Sequence, residues 1–178
     1  MTDEKFRNEM AGIPGLEHAK RALWIALNGL HSVLLIGNEE ATAIAATYKT
    51  LRGSLVCFVR TPCPCGHYAD PRHECHCTAK AVRLHRQEFP QTDITIDVPS
   101  IDFDAMETAG VFRAANGHQI LDKESLRFLR QCVEETGISW VAVQRVIAVA
   151  ETIAGEDGTE SVKIEHLSEA IQYRSIKS

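Results

Sequence analysis

The sequence predicts an α/β unit built on a small parallel sheet, followed by an all-α helical bundle. Three observations carry that prediction. Short apolar runs at residues 32–36 and 55–60 alternate with helical patterns in the first hundred residues, and strands buried on both faces of a parallel sheet read as continuous apolar runs. The C-terminal third changes character, and its apolar residues recur at helical spacing. Within the first hundred residues, after the second apolar run, lies a loop with Pro62, Pro64, Gly66 and Pro71 that holds Cys63, Cys65, Cys75 and Cys77.

Residues 16–29 place Leu16, Ala19, Leu23, Ile25, Ala26 and Leu27 near helical period and end at Gly29, where a C-cap glycine is expected. Residues 32–36 form a buried strand closed by Gly37. Residues 39–51 are alanine-rich with Glu39 and Glu40 in the first turn, which suits a helix. Residues 55–60 give a second buried strand. Thr78 caps a helix to about Gln87, Pro90 breaks the chain, and residues 94–98 alternate as a third strand. Apolar strands separated by helices imply parallel pairing.

In the C-terminal third, Asp122 is the N-cap of a helix to about Thr136 that Gly137 stops. Leu126, Leu129 and Val133 are expected inward, and Ser125, Arg127 and Arg130 outward. Ser139 caps a second helix in which Trp140, Val141, Val143, Val146, Ile147, Val149, Ala150 and Ile153 are apolar nearly all round, the pattern of a helix central in its bundle. Residues 154–158 read as a turn, and residues 163–174 as a last helix burying Ile164, Leu167, Ala170 and Ile171. Trp24 and Trp140 are read as core. The domain boundary falls near residue 100, giving an α/β domain of residues 1–100 and a helical domain of residues 101–178.

The four clustered cysteines are the sharpest chemical signal. Two C-x-C pairs separated by nine residues can bring four thiolates around one tetrahedral ion, and Pro62, Pro64, Gly66 and Pro71 supply turns that fold the loop back. Four sulfurs favour zinc and leave no open coordination position, so the expected role is to stabilise a loop without a core, not to catalyse. His67, His73 and His76 lie in the same loop, so three cysteines and one histidine is the alternative set. A disulfide or redox pair fits less well, because the chain starts without a secretory signal and lacks C-x-x-C spacing. Cys57 and Cys132 sit in apolar and helical patterns and read as small buried hydrophobes.

No apolar stretch approaches the ~20 residues needed to span a bilayer, and the N-terminus lacks the order of a targeting peptide, so a cytoplasmic protein with no membrane association is expected. The net charge of −5 is unevenly spread. Residues 60–86 carry five basic side chains, Arg60, Arg72, Lys80, Arg83 and Arg86, against Asp70 and Glu74, while residues 87–178 carry eight basic against sixteen acidic. The loop and the helix after it form a basic island, and Arg72, Lys80, Arg83 and Arg86 are candidate contacts for DNA or an acidic protein face. His18, His31 and His118 have no Ser, Cys or carboxylate partner at a motif spacing and receive no catalytic role.

Three segments then carry a resemblance: G-L-E-H-A-K-R-A-L at residues 15–23, P-C-P-C-G with its second cysteine pair at residues 62–77, and H-L-S-E-A-I-Q-Y-R at residues 166–174. Together they resemble the magnesium-chelatase-like AAA+ ATPases of the ComM branch, ring-forming ATPases associated with DNA. The resemblance implies an abbreviated AAA+ P-loop-like core carrying the zinc loop (residues 61–78), followed by the family's helical lid. Tyr173 and Arg174, in the terminal segment, are expected to pack the lid against the core.

The chain departs from the family where chemistry would occur. The family's phosphate loop, G-x-x-x-x-G-K-[ST], here reads Gly37-Asn38-Glu39-Glu40-Ala41-Thr42-Ala43-Ile44, so the lysine is Ala43 and the magnesium-binding hydroxyl is Ile44. Glu39 and Glu40 put negative charge at the helix N-terminus, where a triphosphate would sit. The chain between Thr50 and Ser54 is too short for the family's acidic motif, the asparagine before P-C-P-C-G is Thr61, and the expected arginines fall at Gln91 and Val141. The resulting expectation is a non-catalytic zinc-binding relative acting as a binding or scaffold module for a protein partner, itself or DNA, with no small-molecule substrate. The alternative is a nucleotide-binding subunit of a composite ATPase ring, in which Arg145 faces a neighbour.

Overall fold

In chain order the helices and strands are α1 (Asp3–Met10), α2 (Glu17–Gly29), β1 (Val33–Ile36), α3 (Glu39–Leu51), β2 (Cys57–Arg60), α4 (Ala79–Gln87), β3 (Ile94–Asp97), α5 (Phe103–Thr108), α6 (Lys123–Thr136), α7 (Trp140–Glu156) and α8 (Ile164–Gln172). They come from a computed structural model that describes residues 2–51, 56–113 and 120–174. The chain divides into two units, Met1–Ile101 and Asp102–Ser178.

All four residues of β1 are buried, as a strand with neighbours on both edges requires. It is the centre of a three-stranded parallel sheet of order β2-β1-β3, with Val33 opposite both Cys57 and Ile94, and Ile36 opposite both Arg60 and Asp97. α2 and α3 supply Leu23, Leu27, Ile44 and Tyr48 to the core of this unit. α1, which the sequence reading did not anticipate, adds Phe6 and Met10, and its Phe6 ring lies 5.2 Å from Trp24. Gly37 ends β1 where the chain passes against the end of β3, because a Cβ there would meet the Val98 carbonyl at 2.6 Å.

Several expectations need correction. Leu16 lies just before α2 in a left-handed conformation, and Leu30, not Gly29, takes the positive φ beyond its end. Ile25 is 45 % exposed, being off the stripe that Ala19, Leu23, Ala26 and Leu27 define. The described part of the second strand begins at Cys57, and the expected start at Leu55 lies outside the described residues, as do Ser54 and His118.

In the second unit, Ser125 is fully buried, not outward, because it precedes Leu129 and Val133 by four and eight positions and shares their face. Arg130 is half-buried over the Phe103 ring and pairs with Asp104 at 2.7 Å and Glu107 at 2.9 Å. α7 continues through Ala154 and Gly155 where a turn was expected, since Ala154 still lies on its buried face. That helix is amphipathic after all: Val143, Val146, Ile147 and Ala150 are buried while Val149 is exposed. α8 buries Leu167 and Ala170 but leaves Ile164 and Ile171 half-buried. Its His166, unremarked in the sequence, accepts the Lys163 backbone N–H on Nδ1 at 3.0 Å, which puts the ring proton on Nε2, 3.3 Å from Asp157. No helix among the described residues is long and apolar enough to cross a membrane.

Candidate metal centre

Between Arg60 and α4 the chain carries no Leu, Ile, Val, Met, Phe or Trp with which to build a core, and its local order comes from turns and tethers. Thr61 is held from α4, whose His85 Nε2 lies 3.0 Å from the Thr61 carbonyl oxygen. The Gly66 N–H donates to the Cys63 carbonyl at 3.0 Å, closing a tight turn. Gly66 has φ +85° and sits where a Cβ would be 3.0 Å from Asn38 Oδ1, so only glycine suits the position. At the other end Thr78 caps α4 by accepting the Ala81 N–H on its hydroxyl.

This path brings Cys63, Cys65, Cys75 and Cys77 together, all four Sγ atoms within 4.8 Å of one another. Cys63 Sγ lies 3.4 Å from Cys65 Sγ and 3.8 Å from Cys75 Sγ, and the latter two are 3.7 Å apart. A zinc tetrahedron with bonds of about 2.3 Å has sulfur–sulfur edges of about 3.8 Å, so the donor set fits such an ion and could hold it. The backbone adds suitable polarity. A bond from the His67 N–H is the main cause that draws the Cys65 thiol down to about 6. N–H groups of Cys77 and Cys65 likewise favour the Cys75 and Cys77 thiolates, but burial and neighbouring sulfur outweigh them, leaving Cys75 raised and Cys77 pushed up to about 12.

His67, His73 and His76 do not enter this sulfur set. His76 is exposed, whereas His67 and His73 stack with ring centroids 4.6 Å apart and gather round Asp70. Cys57 is buried, Cys132 is half-buried, both are free, and burial pushes both thiols up.

Three contacts fasten the loop to the carboxyl ends of the sheet. Asn38, after β1, donates its amide to the Gly66 carbonyl at 2.9 Å. Ser100, after β3, donates its hydroxyl to Asp70 at 3.3 Å. Glu40, in the first turn of α3, is 2 % exposed and faces Arg72 with Oε1 3.6 Å from Nη2. Burial raises the Glu40 carboxyl above its usual range, opposed by its own backbone N–H and by Arg72. Burial also acts to raise Asp70, but bonds from the Arg72 N–H and from His73, with the Arg72 charge, hold it below the carboxylate range. This Glu40-Arg72-Asp70 chain was not foreseen; an acidic residue at a helix start followed by an arginine in the metal loop is the signal that could have suggested it.

Of the candidate partner contacts, Lys80, Arg83 and Arg86 are exposed on α4, while Arg72 is turned inward against Glu40 and Asp70 and is not part of that surface. Arg86 donates to the Pro62 carbonyl at 3.3 Å and lies over the Tyr68 ring. Beside them, at the carboxyl ends of the strands, is a cleft of about 540 Å³ lined by His18, Gly37, Asn38, Gly66, Tyr68 and Arg86, among others. His18 Nε2 is 3.2 Å from the Asp97 carbonyl oxygen there. Tyr173 is 70 % exposed, and Arg174 donates to the Ala142 carbonyl of α7 at 3.1 Å.

Residues 105–174 match the sequence model of the family described as magnesium chelatase, subunit ChlI C-terminal. The match supports a magnesium-chelatase-like family and runs from within α5 through α8 of the helical unit. Of the three segments that carry the resemblance, only residues 166–174 fall within it. Searches of curated proteins and of solved structures each return no significant match.

Proposed function

We propose that this chain is a non-catalytic, zinc-stabilised relative of the magnesium-chelatase-like AAA+ ATPases of the ComM branch, a truncated form that works as a binding module. The observation that carries this reading is Glu40. The N-terminus of the helix after the first sheet strand is where such an ATPase receives phosphate. In this chain that turn presents a carboxylate, 2 % exposed, whose own backbone N–H and whose cation, Arg72, are already engaged. A phosphate would have to displace an anion and would find Ala43 and Ile44 in place of a lysine and a hydroxyl. Losing one positioned donor or cation of a phosphoryl-transfer site costs roughly 10² or more in rate, and several are absent together.

Under this reading Cys63, Cys65, Cys75 and Cys77 hold zinc, which supplies order to the loop and takes no part in a reaction. The exposed Lys80, Arg83 and Arg86 on α4 then offer a face for an anionic partner, DNA or an acidic protein surface. The test is a calorimetric titration of the zinc-loaded chain with magnesium-ATP, paired with a phosphate-release assay. Neither heat of binding nor release above background is expected; micromolar binding or turnover with Ala43 unchanged would sink the proposal.

A further inference from the structure

We infer that His67, Asp70 and His73 form a second metal site beside the thiolates, taking a divalent first-row transition ion through two imidazoles and one carboxylate. One nitrogen of each ring and one Asp70 oxygen lie within 4.8 Å of one another. His73 Nδ1 and Asp70 Oδ2 are 3.1 Å apart, and metal bonds of about 2.0–2.2 Å imply donor–donor edges of about 2.8–3.1 Å in an octahedral site and about 3.3–3.6 Å in a tetrahedral one. The independent sign of a missing partner is His67 Nδ1, which is buried and makes no hydrogen bond. A buried imidazole nitrogen left so is unfavourable, and an ion would satisfy it.

The surroundings support a cation. Asp70 is fixed by the Ser100 hydroxyl and the Arg72 N–H, so the carboxylate is aimed before an ion arrives. Arg72 lies 3.7 Å from Asp70, which would repel a cation, but Glu40 faces the same guanidinium. Two carboxylates against one arginine leave the group net negative. Two imidazoles and a carboxylate suit zinc, cobalt, nickel or iron, not magnesium or calcium, which take oxygen donors. Three protein ligands, with the His73 side chain 32 % exposed, leave a coordination position for water or another donor, unlike the closed sulfur site.

Cobalt(II) reports the two sites separately, since thiolate ligation gives an intense near-ultraviolet charge-transfer band and nitrogen–oxygen ligation does not. Titrating the metal-free full chain should give a first equivalent with the thiolate band and a second that adds visible absorption without enlarging it. His67→Ala and His73→Ala should each weaken the second equivalent by at least about tenfold and leave the thiolate band unchanged, which also shows that the loop still folds. Binding that ends at one equivalent, or a second equivalent retained in the double variant, would overturn the inference. Loss of the thiolate band in the histidine variants would overturn it too, by placing the imidazoles in the sulfur site.

Discussion

Across residues 61–78 the buried residues are Cys63 and Gly66, whereas the helical unit buries Phe103, Met106, Leu129, Val143 and Leu167 to 3 % exposure or less. The loop has polar tethers at Asn38, Ser100 and Glu40 but no apolar interior to exclude water. Under the proposed zinc reading its geometry depends on the ion that joins four sulfurs, while the helices are ordered by burial that needs no ligand. With zinc bound as proposed, metal ligation and hydrophobic packing would divide the molecule into a part that a chelator can undo and a part that it cannot.

The sharpest way to break that contrast is to remove the metal. A structural zinc is worth about 10–16 kcal/mol in small zinc-stabilised folds, so losing one of four thiolates costs roughly 3 kcal/mol, a hundredfold or more in affinity. Cys63→Ser should show that loss in a competition titration against a chromophoric chelator, and protease should then cut between Thr61 and Thr78. The far-ultraviolet dichroism of the helices should survive. A loop equally resistant with and without metal would show that the tethers alone order it.

The reverse experiment leaves the loop alone and opens the helical core. Leu129 is fully buried on α6, and Leu129→Ala should cost about 2–5 kcal/mol, the sum of lost transfer energy and a residual cavity. Trp140, 5 % exposed in the same unit, is the natural fluorescence probe, with Trp24 replaced by Phe. Zinc content should stay at the wild-type value. A variant that lost zinc along with the Trp140 transition would show that the two parts are energetically one.

The same contrast explains what could be read from the residues. Three helix starts were legible to the residue, with Thr78, Asp122 and Ser139 each accepting the N–H three positions on, whereas Thr2 and Asp102, which cap α1 and α5 in the same way, were not. The sulfur set was legible too, because ligand spacing is local. Short helices without a long apolar repeat, α1 and α5, were not, since their order comes from Phe6, Met10, Phe103 and Met106 packing on other segments. Nor was the buried pairing of Glu40 with Arg72, which joins residues 32 positions apart. Non-local polar contacts leave no periodic trace in a sequence.

The smallest expected effect tests one of those caps. Asp122 accepts the Ser125 N–H at 2.8 Å, and that bond is the main reason its carboxyl is held below the usual range. Asp122→Ala should cost about 1 kcal/mol, a fall in Tm of about 4–8 °C for a unit of this size. Asp122→Asn keeps an acceptor and should recover most of it. The sign with pH follows from the lowered folded value: the charge contribution is fully present above the unfolded carboxylate value, about 3.9, and is lost as pH falls through the folded one. Wild type should therefore exceed Asp122→Asn in Tm at pH 6, with the gap narrowing as pH falls below about 3.9. A constant gap would mean that the carboxylate's charge contributes nothing at this helix end, and that the helical unit depends on packing alone.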